Sequence, residues 1–242
     1  MSNAIKNIIF IGITVCCLAP LANAQSGGAY YTVRDLESWS SLELKYKYSK
    51  KLSLYFEEQL RLKDNASIVD QYFSELGFSY KLNKHYTFGF AGRWLSNNDT
   101  KGNIQGYENH FRWNTDLSYK HKLDEFSFKY RVRYQSKNEL GISSDQGDLL
   151  NNTVRFKFGA DYNIKKWKLD PEFSTEIFNR LQPSDGFDKL RFTIGTSYNT
   201  KNIGEFGAFY RMEQDLIGLY PKTTNIIGLK YGYTIKRKNN EQ

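Results

Sequence analysis

Phe126-Ser127-Phe128-Lys129-Tyr130-Arg131-Val132-Arg133-Tyr134-Gln135 puts an apolar or aromatic side chain at every even position and a polar or charged one at every odd position. A strict period of two marks a β-strand with two unlike faces. One face of this strand is suited to hydrocarbon and the other to water and ions. The same alternation runs through nearly all of the chain after residue 38. Leu42, Leu44, Tyr46 and Tyr48 oppose Ser41, Glu43, Lys45 and Lys47. Val154, Phe156, Phe158, Ala160 and Tyr162 oppose Arg155, Lys157, Gly159 and Asp161. Ile227, Leu229, Tyr231, Tyr233 and Ile235 oppose Gly228, Lys230, Gly232 and Thr234. Between Leu52 and Leu62 the apolar face is interrupted only by Glu58, for which the sequence offers no reason.

This pattern predicts eleven strands, at about 38–48, 52–62, 71–80, 86–95, 106–119, 126–135, 149–162, 167–178, 190–198, 205–215 and 225–235. Most have the roughly 9–11 residues that a tilted strand needs to cross a bilayer. Six of them end on a tyrosine with a lysine close behind: Tyr48-Ser-Lys, Tyr80-Lys, Tyr119-Lys, Tyr162-Asn-Ile-Lys, Tyr198-Asn-Thr-Lys and Tyr233-Thr-Ile-Lys. Tyrosine combines an apolar ring with a polar tip and settles where hydrocarbon meets water, while lysine reaches beyond it to headgroups. Tyr48, Tyr80, Tyr119, Tyr162, Trp167, Tyr198 and Tyr233 therefore form a candidate membrane-interface girdle.

The connections alternate as well. Basic turns near 49–51, 81–85, 120–125, 163–166 and 199–204 take turns with longer polar segments at 63–70, 96–105, 136–148, 179–189 and 216–224. Short periplasmic turns and longer extracellular loops are the asymmetry of outer-membrane barrels, which places the tyrosine ring on the periplasmic side. Strand 38–48 then runs inward, and a chain that enters from the periplasm needs an earlier outward strand. Ala29 to Arg34 is the candidate, which brings the expectation to twelve strands, with ten as the alternative.

The first residues fit an exported protein. Lys6, an apolar run from Ile8 to Leu18 and Ala22-Asn23-Ala24 describe a signal peptide over 1–24, cut before Gln25, with the barrel over 25–242. The apolar run is shorter than the roughly 20 residues of a membrane-spanning helix. Both cysteines, Cys16 and Cys17, lie in that segment, so the mature chain has neither disulfides nor thiolate metal ligands. The formal charge of +8 falls to +7 without Lys6, and the lysines gather at turns rather than in one patch, which argues against a nucleic-acid partner. Aromatic content of 16% in a chain that is polar on average suits a barrel that is greasy outside and wet inside. The expected partners are the bilayer of an outer membrane and small polar solutes, and no cofactor is implied.

Arg61, Arg93, Arg112, Arg131, Arg133, Arg155, Arg191 and Arg211 lie off the apolar face, together with Glu57, Glu75, Glu108, Glu172, Glu176 and Glu213. They are the predicted lumen lining. It is either a ladder of ion pairs that locks the barrel or the wall of a conducting pore. A barrel of about twelve strands lies between side-chain-filled and water-filled types, so its size leaves both open. The same alternation also fits a soluble barrel that encloses a greasy ligand. An enzyme acting on envelope lipid needs a base and a nucleophile. His85 and His121 fall in the predicted turns, and His110 is the candidate base, with Glu108 on its face. Ser118 shares that face but lies about 26 Å along the strand at roughly 3.3 Å per residue, too far to be its partner. The oxygen-rich loop Ser143-Ser-Asp-Gln-Gly-Asp148 lacks the closing glutamate of a calcium loop and reads as a solvated surface segment.

Several of these stretches together resemble a known family. Trp39 opening a strand, Tyr48-Ser-Lys-Lys-Leu-Ser-Leu54 and Glu57-Glu58-Gln59-Leu60-Arg61 are similar to the start of an uncharacterised bacterial barrel family, domain of unknown function twenty-four-ninety. Phe73-Ser-Glu-Leu-Gly-Phe-Ser-Tyr80, Tyr107-Glu-Asn-His-Phe-Arg112 and Leu190-Arg-Phe192 resemble its later strands. The resemblance implies an outer-membrane β-barrel and supplies no activity and no functional residues.

Overall fold

The computed structural model describes residues 33–99, 106–142, 145, 150–165, 168–181, 186–200 and 203–237. They form eleven strands: β1 (Val33–Lys47), β2 (Leu52–Lys63), β3 (Ile68–Lys81), β4 (Tyr86–Asp99), β5 (Gly106–Leu123), β6 (Phe126–Glu139), β7 (Asn151–Tyr162), β8 (Asp170–Arg180), β9 (Gly186–Thr200), β10 (Gly204–Asp215) and β11 (Lys222–Lys236). Each strand pairs antiparallel with the next, and β1 closes the barrel against β11. Closure pairs every strand on both sides, the condition under which strands can sit in hydrocarbon.

The strand count differs from the expected twelve. Arg34 belongs to β1, which runs without a turn into the predicted 38–48 segment; residues 29–32 of the proposed extra strand lie outside the described residues. Along β1, Leu36, Ser38, Ser40, Leu42 and Leu44 face outward, while Asp35, Glu37, Trp39, Ser41 and Glu43 face inward. The outward serines hide the apolar period, so the strand's start does not show in a hydrophobic pattern. With an odd number of strands, β1 and β11 run parallel, from Val33 beside Lys222 to Lys47 beside Lys236.

Nine of the eleven strands are longer than predicted and most connections shorter, while β7 and β8 start two and three residues later than predicted and the connection before β8 is longer. The expected loop 63–70 is a turn at 64–67, where Asp64, Asn65 and Ala66 take φ of 51°, 57° and 59° in succession. Aspartate and asparagine tolerate this left-handed region by bonding locally. Here the Asn65 and Ala66 amides donate to Asp35 Oδ1 and Leu36 O, which fastens the turn to β1. The basic end has connections at 48–51, 82–85, 124–125, 163–169 and 201–203, and the opposite end at 64–67, 100–105, 140–150, 181–185 and 216–221. Residues 1–24, Trp167 and, apart from Asp145, the loop Ser143 to Asp148 lie outside the described residues.

Large apolar side chains such as Leu42, Leu76, Trp94, Leu117, Ile194 and Leu229 are exposed on the outer wall. Tyr48, Tyr80 and Tyr233 are exposed near the basic end, and Tyr119 and Tyr162 pack on Tyr86 and Phe126 with ring centroids 5.0 and 4.7 Å apart. His121 is not in a turn: it lies in β5, its ring stacked on Tyr130 within this aromatic belt. Glu58 also faces outward, midway along β2 and opposite Leu42, and accepts a 2.6 Å hydrogen bond from Ser74 Oγ. One hydroxyl is a poor substitute for water around a carboxylate. Glu58→Leu is expected to stabilise the barrel in lipid vesicles by about 1 kcal/mol. Urea unfolding of the two proteins measures this, and a variant less stable than wild type contradicts it.

Candidate functional site in the barrel lumen

Inward parity brings the charged residues of separate strands together. Arg131 on β6 meets Glu176 on β8, and Arg112 on β5 meets Glu75 on β3. Each pair skips a strand, so each bridges the interior. Glu176 gathers three arginines. Arg155 binds it twice, from Nε to Oε1 at 3.1 Å and from Nη2 to Oε2 at 2.8 Å; Arg131 Nη2 lies 2.7 Å from Oε1, and Arg191 Nη1 lies 3.2 Å from Oε2. Arg191 also reaches Glu213 at 2.6 Å. On the facing wall, Glu75 takes Arg93 Nε at 2.6 Å, the Tyr55 hydroxyl at 3.0 Å and Arg112 at 3.6 Å. Arg133 forks onto Asp116 with two bonds of 2.6 Å. Planar guanidinium and carboxylate groups match in this geometry, which gives direction as well as strength.

Aromatic rings fill the spaces between these ions. Arg93 lies 3.4 Å from the ring centre of Phe73, Arg61 3.7 Å from Trp39, and Arg155 4.3 Å from Phe178. Arg211 stacks between Trp39 and Phe209. Guanidinium over an aromatic face is attractive and displaces water. The result is a packed layer: Glu75 and Glu176 are 3% exposed and Arg93, Arg133 and Arg155 are 7–8% exposed.

On the basic-turn side of this layer the lumen opens into a cavity of about 990 Å³. Arg131, Lys157, Thr193, Phe209 and Lys230 line its inner part, and Lys47, Lys120, Thr200 and Lys236 lie toward its mouth. Glu57 and Glu172 line this cavity rather than the packed layer, and accept bonds from Gln59 and Ser197. Arg61 and Arg211 bond to the neutral acceptors Gln59 and Thr193.

Glu108 and His110 sit near the opposite end, where Glu139 of β6 joins them; the three offer ligand atoms within 4.8 Å of one another. Asn97 Nδ2 lies 3.2 Å from His110 Nδ1. This set has the chemistry of a small cation site, with the Asn97 amide and two carboxylates beside His110.

Asp116, Trp39, Phe73, Phe178 and Phe209 are the central residues that the polar-face pattern missed. The signal was available: Phe73, Phe178 and Phe209 stand two positions from Glu75, Glu176 and Arg211, and so share their face. Aromatic residues inside, between arginines, break the rule that assigns every ring to lipid.

An all-β closed barrel with apolar side chains outside and an ionic interior defines the class. It is opposite in sense to a soluble barrel with a greasy core. Residues 36–215 match the family described as protein of unknown function (DUF2490), and the chain belongs to that family. A solved chain described as "KdgM porin" is similar in structure, with a TM-score of 0.44 and 12% sequence identity over 75% of this chain and 91% of that one. No curated protein matches the chain.

Proposed function

We propose that this protein is an integral barrel of a bacterial outer membrane whose lumen is held shut by the arginine–glutamate–aromatic layer. Its role is that of a rigid envelope component that does not conduct in this state. One observation carries the reading: Glu75, Arg93, Arg133, Arg155, Glu176 and Glu213, from six different strands, are each less than 9% exposed inside the closed barrel. A water-filled passage would leave such charges hydrated. The membrane placement rests on the outward apolar wall with tyrosines near one end, and the basic turns are assigned to the periplasm as in other such barrels.

Passive passage of small polar solutes is the second reading, and the cavity of about 990 Å³ favours it. Reconstitution in a planar bilayer separates the two. The refolded protein, shown to be folded by heat-modifiable gel migration, is expected to give no sustained current in potassium chloride. Steady ohmic conductance from wild type overturns the closed reading in favour of the pore.

A further inference from the structure

We infer that the inner end of the cavity on the basic-turn side is a binding site for a small anion, a carboxylate or phosphate, gripped chiefly by Lys157 and Arg131. The inference rests on the inward orientation argued above and deepens that reading.

The argument begins with charge. The packed layer places Arg61, Arg93, Arg112, Arg131, Arg133, Arg155, Arg191 and Arg211 against Glu75, Asp116, Glu176 and Glu213. Glu37, bonded to the Trp39 indole, and Glu57 on the cavity wall add two carboxylates, and cations still outnumber anions in this interior, where unbalanced charge is costly. Opposite charge is drawn to such a layer from whichever side is open, and the cavity is the open side.

Local geometry sharpens the site. Lys157 stands in register between Arg131 and Glu176, yet both Glu176 oxygens are already taken by arginines. Among the described residues, Lys157 has no ion pair and no hydrogen bond. Arg131 commits one Nη to Glu176, while its buried Nε has no acceptor. Thr193 and Ser174 supply hydroxyls on the neighbouring wall, and Lys230 stands over the Phe209 ring at 4.8 Å. Asp161 (paired with Lys129), Glu172 and Glu205 line the cavity toward its mouth, and its far wall carries Glu43 and Glu57. They face each other in register on β1 and β2, away from the β6–β7 wall that carries Arg131 and Lys157. An anion at that wall gains the Lys157 ammonium, which otherwise lacks an acceptor, beside the positive Arg131 guanidinium, and charge-assisted bonds of this kind are the strong ones.

Isothermal titration of the folded barrel in non-ionic detergent tests the site with inorganic phosphate and citrate as probes and glucose as the neutral control. Saturable binding of an anion is expected, weakening as sodium chloride is raised. Lys157→Met should reduce affinity about tenfold, the loss of one charge-assisted contact. Lys157→Arg should retain it, and so should Lys165→Met at an exposed turn. Competition by anionic lipid added to the micelles identifies a headgroup as the ligand and overturns the solute site. Absence of binding by folded wild type overturns it too, as does unchanged affinity in Lys157→Met. A conducting bilayer trace, by contrast, rejects the closed lumen and leaves this titration standing.

Discussion

Glu176→Gln is expected to destabilise the barrel by more than 2 kcal/mol, and Glu176→Ala by about 3–5 kcal/mol, the range for removing one partner of a buried ion pair. The reason is what remains rather than what is lost. Arg131, Arg155 and Arg191 all converge on this carboxylate, which is 3% exposed. Without it three guanidiniums face one another, and only Arg191 keeps a second carboxylate, that of Glu213. Glutamine preserves the volume but not the charge, so it separates electrostatics from cavity formation. Glu125→Gln is the control: its partner Lys165 sits 80% exposed on a turn, and such a pair contributes about 1 kcal/mol or less. Urea unfolding from lipid vesicles reads all three variants. A loss under 1 kcal/mol for Glu176→Gln means that water or a bound anion already screens the cluster. Adding Arg155→Met to Glu176→Ala should recover part of the loss, since it removes the arginine with the most contacts to the missing group.

The fold was legible because a barrel wall obeys one local rule along its whole length. Phe126 to Gln135 obeys it without exception, and all eleven strands read from the pattern are present. Trouble came where the outward residues are small and polar. Ser38 and Ser40 face outward on β1, so hydrophobicity carries no phase there, and the continuous strand looked like two. Most strand ends, the starts of β7 and β8 excepted, were underestimated for a related reason. Beyond the apolar band, backbone pairing continues through polar residues such as Asn97 to Asp99 and Lys137 to Glu139, which no hydrophobic period can mark.

The site divides along the same line. Parity assigns Arg131, Arg155 and Glu176 to one face, but it does not say which arginine meets which acid. Those choices depend on strand stagger, and stagger is a property of the closed barrel. Arg131 and Glu176 are 45 residues apart and bridge β6 and β8 across β7. Asp116 stayed unnoticed because a lone aspartate between Thr115 and Leu117 looks like any polar-face residue until Arg133 falls opposite it in register. Glu172 shares the face of Glu176 yet lies on the cavity because it stands four residues nearer the basic end of β8. Glu57, in register with Glu75, lines the cavity from the neighbouring strand, so parity alone does not separate layer from cavity.

Gly228 is the position where a single added side chain should do most harm without touching a charge. It faces Phe209 across the β10–β11 pair and Trp39 across the parallel β1–β11 pair. A Cβ there would lie 2.0 Å from Phe209 Cζ, far inside contact distance, so the ring now occupies the space a side chain would take. Gly195 flanks the same phenylalanine from β9, where a Cβ would come within 2.9 Å of the Ala208 carbonyl oxygen. Phe209 therefore sits over backbone on both sides, 9% exposed, and helps hold Trp39 at 4%. Gly228→Val is expected to cost about 1–3 kcal/mol, the range for overpacking a filled interior. Its ring must swing toward the cavity, carrying off the face on which Arg211 and Lys230 rest. Pairing Gly228→Val with Phe209→Ala removes the collision, so the double variant should be more stable than the two single losses added together by at least about 1 kcal/mol. Strict additivity in that cycle means the strand accommodates the valine by backbone movement, and the packing role assigned to the glycine falls. Trp39 offers a second readout: its indole lies beside Gly228 and under Arg61, and its emission should shift in Gly228→Val but not in an outward substitution such as Leu229→Val.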